Sequence, residues 1–351
     1  MKTIFLESHN IKNRAGGLGT FNYELIKAIS KLNLSELSIT LNANDTKILR
    51  EEFDATFNYH KYNSLQRHPL FRTRKKYDVW HSLNQNTKVE PFYKPKKYIL
   101  TIHDVNFVEE HSSDMNHKKN KLFIEKLNRA DCITYISNFA KEQTHQYFNV
   151  PKVPERIIYN GNPVTEIITN PTKFPETPFS KPFFFTLGDF IERKNFHSLV
   201  EMMRIMPDYG LIISGNNNKP YGEYIKQLIE KYQLKNIFVT GKISDQDKHF
   251  YLRNCEAFLF PSIREGFGLP PIEAMSYGKP VFLSNKTSLP EIGGDAAYYW
   301  ENFDPEYMKS FVLKSLEFFK TEGSTAIDRV KKRAAFFNWE KAASSYLELY
   351  R

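Results

Sequence analysis

The chain has 351 residues, 41% of them hydrophobic and 25% charged, the balance of a soluble globular protein. At about 100–200 residues per domain, that length points to about two domains. Fifteen Gly, 18 Pro and a mean hydropathy of −0.52 exclude fibrous, low-complexity and membrane-embedded classes, and no window approaches the ~18 apolar residues of a spanning helix.

The start, Met1 to Asn10, has an apolar core of only about four residues, too short for a secretion signal and suited to a first strand. Cys132 and Cys255 lie far apart in apolar, strand-like stretches. That excludes a disulfide framework, argues against a cysteine metal site, and places the chain in a reducing compartment, the cytoplasm. The net charge of +9 is uneven: residues 1–160 hold 25 Lys and Arg against 17 Asp and Glu, residues 161–351 hold 24 against 23. The densest stretch runs from Lys61 to Lys76, with Arg67, Arg72, Arg74 and Lys75, no acid, and Leu65, Leu70 and Phe71 interleaved. It reads either as a solvated loop or as a patch meeting an anionic surface, lipid headgroups or nucleic acid.

In chain order, short β-branched or aromatic runs alternate with longer amphipathic ones. The first predicted strands are Thr3–Leu6, Leu37–Leu41, Val79–Ser82, Tyr98–Ile102, Cys132–Ile136 and Arg156–Tyr159. A second set is Phe183–Leu187, Gly210–Ser214, Ile237–Thr240, Ala257–Phe260 and Pro280–Leu283. Predicted helices are Leu18–Lys31, His117–Arg129, Asn138–Phe148, Phe196–Met203, Glu223–Tyr232, Asp245–Arg253 and Pro271–Tyr277, and everything beyond Asp304 reads as helical. Ser244 to Asp247 resembles a capping box, and Asp304-Pro305 an N-cap followed by a first-position proline. Strands joined by helical crossovers predict parallel sheets covered on both faces. A polar stretch from about Asn160 to Ser180, punctuated by Pro163, Pro171, Pro175 and Pro178, separates two doubly wound α/β domains. Such sheets bind ligands at their strand C-termini.

The segment Pro261 to Gly278 follows the strand Ala257–Phe260 and opens a helix. Gly266 and Gly268 let backbone approach a ligand closely, and Pro270 and Pro271 suit a first helical turn. Backbone N–H groups at a positive helix end favour phosphate or sugar oxygens. Glu265 and Glu273, acceptor-only when ionised, suit a polyhydroxylated ligand; the plain alternative is a surface Glu and a helix-dipole Glu.

Glu265-Gly-Phe-Gly-Leu-Pro-Pro-Ile-Glu273-Ala-Met resembles the signature of retaining family 4 glycosyltransferases of the GT-B fold, particularly bacterial mannosyltransferases of surface-polysaccharide assembly, lipopolysaccharide included. Gly188-Asp-Phe-Ile-Glu-Arg-Lys-Asn195 is similar to the family's diphosphate-binding segment, Gly16-Gly-Leu-Gly19 to its N-domain glycine loop, and Thr101-Ile-His-Asp104 to a strand end carrying a His. The resemblance implies two Rossmann-like domains facing a central cleft: residues 1–165 binding the acceptor, residues 166–337 binding a nucleotide sugar, and a final helix, 338–351, returning to the first. It implies that Arg193 and Lys194 hold the donor diphosphate, for which a plain exposed basic turn is the alternative. Glu273 would bind ribose, and Glu265 the donor sugar with the N–H groups of Phe267, Gly268 and Leu269. His103 would sit over the reacting face, although a lone His after a strand is more often structural. Gly17 would bring N–H groups to the phosphates, and Gly241 and Ile243 lie where the base is read. The implied reaction is hexosyl transfer with retention, best matched to mannose from GDP-mannose, with uridine diphosphate sugars as the alternative and an epimerase or a basic nucleic-acid binder as further readings. No cofactor, metal or nucleic acid is expected; the partners are a nucleotide sugar and a glycan or lipid-linked saccharide. Peripheral contact with the inner face of the cytoplasmic membrane through the basic first half is the matching expectation. Asp245-Gln-Asp247 imitates a metal motif but opens a helix, where capping is its expected role.

Overall fold

A computed structural model describes residues 1–14, 16–164 and 179–351. They form two units, Met1–Pro163 with Asn338–Arg351, and Val164–Phe337. Of the predicted linker, Pro171, Pro175 and Pro178 lie outside the described residues.

The first unit is built on seven strands: β1 (Lys2–Glu7), β2 (Leu37–Ala43), β3 (Asn58–Lys61), β4 (Val79–Ser82), β5 (Lys97–Ile102), β6 (Cys132–Tyr135) and β7 (Glu155–Ile157). They pair in parallel in the order β3-β2-β1-β4-β5-β6-β7, so the chain winds outward from β1 in both directions. Central strands covered on both faces need uninterrupted apolar runs, and Ile4, Phe5 and Leu6 of β1 are wholly buried. Phe5 stacks on Trp80 at 4.0 Å between ring centroids. The last helix, Trp339–Tyr350, packs on the helix Gly17–Ile29. Its N-cap Asn338 accepts the Lys341 N–H at 3.0 Å. Phe21 meets the rings of Trp339 and Tyr346 edge-on, and the buried Tyr350 hydroxyl lies 2.6 Å from His81 Nδ1. Gly161 is the close approach on the other side, where a Cβ would come within 2.2 Å of the Trp339 backbone nitrogen.

The second unit carries β8 (Phe183–Leu187), β9 (Gly210–Ser214), β10 (Ile237–Gly241), β11 (Ala257–Phe260), β12 (Val281–Ser284) and β13 (Tyr298–Trp300). All pairs are parallel, in the order β10-β9-β8-β11-β12-β13. Its core gathers Phe184, Leu199, Met203, Leu211, Ile213, Ala257, Leu259 and Phe282, with Trp300 from β13 and Met308 from the helical end.

The sequence reading misses two edge strands. β3 offers only Asn-Tyr-His-Lys, with no wholly buried position, and β13 is three residues long. An edge strand is held by its neighbour's ladder more than by apolar patterning, so its signal is weak. Also missed are the helix Thr46–Phe53, capped by Asp45, and the short turn Leu289–Gly293. The helix predicted from Glu223 begins at Pro220, a proline in its first turn, and that predicted from Pro271 begins at Leu269. Ser244 forms the expected capping box with Asp247, and Asp304 caps Tyr307 ahead of Pro305. Beyond Asp304 the chain is helical over Pro305–Glu322, Ser324–Phe336 and Trp339–Tyr350.

Candidate functional site

In the second unit the chain leaves β8 toward β9 on one side and returns through β11 on the other, so the β8–β11 junction is where the winding reverses. Crevices outside the strand C-termini at such a junction are where open α/β sheets bind ligands. After β8 comes the tight turn Glu192–Lys194, closed by Asn195 in the left-handed region at φ 56°. After β11 comes the loop holding Glu265. The two meet: Lys194 Nζ donates to Glu265 Oε1 at 2.6 Å, and Arg193 Nη1 lies 3.2 Å from Glu265 Oε2. Arg193 Nη1 also donates to the Arg264 carbonyl at 2.6 Å, and Ser262 Oγ to Glu265 Oε1 at 2.6 Å.

Lys194 is therefore not an exposed basic turn. Only 7% of it is accessible, and its ammonium also lies 4.6 Å from the centre of the Phe260 ring. Gly188 makes room for its stem, since a Cβ there would come within 3.1 Å of Lys194 Cε. Burial lowers the Lys194 pKa, against the opposing pull of Glu265. Burial alone would raise Glu265, but Lys194 and Arg193 outweigh it and hold the carboxyl below its ordinary value. The result is an ionised carboxylate under two cations, a place for an anion that can share those cations.

Glu273 sits one turn into the helix Leu269–Ser276, buried, with Lys248 Nζ donating at 3.2 Å. Burial raises its pKa, with Lys248 pulling the other way. Gly268 caps that helix at φ 124°, a conformation nearly closed to other residues. Because Pro270 and Pro271 carry no N–H, Leu269 supplies the only amide of the first three helical positions. Of the three amides named from the sequence, Leu269 thus stands in the helix and Phe267 and Gly268 in the turn before it. Phe267 is buried against Phe337. Gly241 ends β10 at φ 75°, its carbonyl accepting the Gly215 N–H at 2.8 Å, and half-buried Ile243 follows it. Asp247 is engaged in the Ser244 capping box, and Asp245 faces Lys248 at 3.3 Å.

Several contributors escaped the sequence reading. Lys248 reaches Glu273 from the helix Asp245–Asn254. Thr287 Oγ1 accepts the Glu265 N–H at 3.0 Å, and Ser288 Oγ donates to the Glu265 and Phe267 carbonyls, so the loop after β12 fixes the Glu265 turn. The one available signal was Ser-Asn-Lys-Thr-Ser directly after a buried strand, the usual place for a ligand-side loop.

The first unit also reverses direction, between β1 and β4. Gly16 is the N-cap of the helix Gly17–Ile29 and has no side-chain cap. A Cβ on Gly17 would meet nothing within 4 Å, whereas one on Gly19 would fall 1.8 Å from the Asn13 carbonyl oxygen. Gly19 is thus required by packing and Gly17 is not. His103 follows β5; it is buried, its Nε2 2.9 Å from the Leu83 carbonyl and its ring edge-on to Phe21 at 4.6 Å. Burial takes its pKa down to about 4, so it is neutral at pH 7, with Nε2–H donating and Nδ1 left as an acceptor. Gln85 Oε1, another contributor the sequence reading did not select, accepts the His103 N–H at 3.1 Å.

Over residues 169–323 the sequence matches the family model described as glycosyl transferases group 1. This segment is a group 1 glycosyltransferase domain. The O-antigen chain mannosyltransferase B of Escherichia coli is 28% identical over 284 residues, 74% of this chain and 72% of that protein. The serotype-specific mannosyltransferase WbdA of Escherichia coli is 30% identical over 60% of this chain, but this covers only 28% of WbdA. The O-antigen chain mannosyltransferase RfbU of Salmonella typhimurium is 25% identical over 65% of this chain and 59% of that protein. Among solved structures, the sucrose-phosphate synthase of Thermosynechococcus elongatus superposes with a TM-score of 0.75 at 19% identity, covering 100% of this chain and 98% of that one. Anabaena Alr3699/HepE, solved in complex with UDP and glucose, gives 0.75 at 16% identity over 99% of each chain. The chain shares the fold of these structures, the expected GT-B fold with two Rossmann-like parallel-sheet domains.

Proposed function

We propose that this group 1 glycosyltransferase moves a mannosyl residue from GDP-mannose to a glycan or lipid-linked saccharide, with retention of anomeric configuration and no metal ion. The observation that carries the reading is the cluster of buried Lys194 with half-buried Glu265 and Arg193 at the switch point of the second sheet. Two cations there can take up the charge that grows on a departing diphosphate, the part a metal plays elsewhere. Glu265 accepts hydrogen bonds from donor-sugar hydroxyls and Glu273 from the ribose. Gly17 and the Gly266–Leu269 turn supply amides, Gly241 and Ile243 line the base, and His103 accepts from a hydroxyl on the acceptor side.

In the step itself the C1–O bond to phosphate breaks, its electron pair staying on the phosphate oxygen. The acceptor oxygen bonds C1 on the same face, and its proton passes to that phosphate oxygen. A double displacement would need a carboxylate on the opposite face, and the signature assigns none. The names of the relatives support mannose; the nucleotide and sugar in the Alr3699/HepE complex favour uridine diphosphate glucose as the second reading.

A panel of GDP- and UDP-sugars tests this by thermal shift, since a ligand at 100 times its Kd stabilises the native state by about 2.7 kcal/mol. GDP-mannose is expected to give the largest rise, and NMR of the product to show the donor's anomeric configuration. Stabilisation by no nucleotide sugar, or an inverted product, overturns the reading.

The first unit supports membrane contact. Leu65, Leu70 and Phe71 are exposed in the basic stretch, and the Thr73–Pro91 bridge brings exposed Phe92 and Tyr93 beside it. Arg74 lies over Phe92 at 5.1 Å and Lys76 over Tyr93 at 5.2 Å. Cations interleaved with exposed aromatics suit an anionic bilayer. Sedimentation with phosphatidylglycerol vesicles at low salt is expected, with loss at high salt and in a Leu70→Ser/Phe71→Ser variant; no sedimentation at low salt removes this part.

A further inference from the structure

The carboxyl ends of β1, β2 and β3 hold a buried polar group of side chains that the donor site does not use. Asn42 and His60 are register partners, and Glu7 extends the β1–β2 register one residue beyond Leu6–Leu41. Glu7 is wholly buried, on the same face of β1 as Phe5. One carboxylate oxygen accepts from His9 Nδ1–H; the other, Oε2, is buried with no hydrogen-bond partner among the described residues. Asn42 Nδ2, the Tyr62 hydroxyl and Gln66 Oε1 are buried and unpartnered in the same way. These groups are neighbours. The His9 ring lies flat on Tyr62 at 4.5 Å, the Gln66 amide nitrogen is 3.3 Å from both His60 Nδ1 and the Lys61 carbonyl, and Asn42 Oδ1 is 3.3 Å from His60 Nδ1.

Folded proteins leave few buried polar atoms unpaired, because each costs the hydration it gave up. Four together, at the carboxyl edge of a doubly wound sheet, leave hydrogen-bonding capacity that a ligand can take up. Their chemistry selects the ligand class. A buried carboxylate repels phosphate, while a mix of amide donor, carbonyl acceptor, hydroxyl and carboxylate matches groups that both donate and accept. We propose that Glu7, Asn42, Tyr62 and Gln66 form a binding site for the hydroxyls of the acceptor saccharide. This rests on the glycosyl-transfer reading above.

The probe is a panel of hexose disaccharides observed by saturation-transfer difference NMR with the full chain and no donor. At least one is expected to bind the wild type, and Glu7→Gln and Tyr62→Phe are each expected to weaken it at least about tenfold. Both variants should retain the wild-type thermal shift with the nucleotide sugar. Tyr62→Phe removes only an unpartnered hydroxyl, so a merely structural role would leave stability and binding unchanged. Binding by no disaccharide, or unaltered binding in both variants, overturns the proposal. A missing response to every nucleotide sugar overturns the enzyme reading instead, and the two failures are read separately.

Discussion

Lys194→Ala is expected to lower kcat/KM for glycosyl transfer by about 10²–10³-fold or more, the usual loss when one preorganised charge at a reacting centre is removed. The same substitution strips Glu265 of its closest cation, leaving the carboxylate with Arg193 at 3.2 Å and Ser262 at 2.6 Å. Breaking one side of a buried ion pair typically costs about 3–5 kcal/mol, so a loss of activity alone would not separate chemistry from folding. The double variant Lys194→Ala/Glu265→Gln makes that separation. With no buried carboxylate left short of its closest cation, and only the partly exposed Arg193 losing its anion, it is expected to recover part of the lost stability by chemical denaturation while staying inactive. Glu265→Gln alone is expected to be inactive too, because it removes an acceptor for sugar hydroxyls. Wild-type turnover in Lys194→Ala would remove the cation pair from the mechanism.

Removal of residues 338–351 is expected to unfold the first unit. The helix Trp339–Tyr350 buries Trp339, Ala342, Ala343, Tyr346, Leu347, Leu349 and Tyr350. Deleting single large core side chains costs about 2–5 kcal/mol each, and a domain is stable by only about 5–15 kcal/mol. The loss also leaves His81 without the Tyr350 hydroxyl at 2.6 Å, and Lys97 Nζ without the Leu349 carbonyl at 2.7 Å. The second unit has its own core, so limited proteolysis of the truncated chain should leave a protected fragment within residues 179–337 and digest the rest. Tyr350→Phe tests the same contact on a smaller scale, with an expected cost of about 1–3 kcal/mol. An unchanged melting profile after truncation would show that the helix is dispensable to the unit.

The donor-side turn was legible because its chemistry is local. Glu265 and Glu273 lie eight positions apart across a Gly-Pro turn, and both the strand before it and the helix after it announce themselves by apolar runs. The predicted spans Phe183–Leu187, Gly210–Ser214 and Phe196–Met203 coincide with the observed elements for the same reason. Contributors that act from a distance were invisible. Lys248 is one Lys among many in the sequence, and becomes a partner of Glu273 only when its helix is laid beside the next one. Glu7, too, reads as an ordinary polar end to a strand until the sheet buries it.

By itself the sequence determined the two parallel-sheet units, the order of their elements and the turn chemistry around Glu265, since these follow from apolar periodicity and from residues within a few positions of one another. Tertiary structure decided which charges are paired. Lys194 and Glu265 are 71 residues apart, and their 2.6 Å contact exists because β8 and β11, distant in the chain, are neighbours in the sheet. Burial at that junction removes the water that would otherwise screen the pair, turning a Lys that could have sat in a solvated turn into a fixed cation for an anionic ligand.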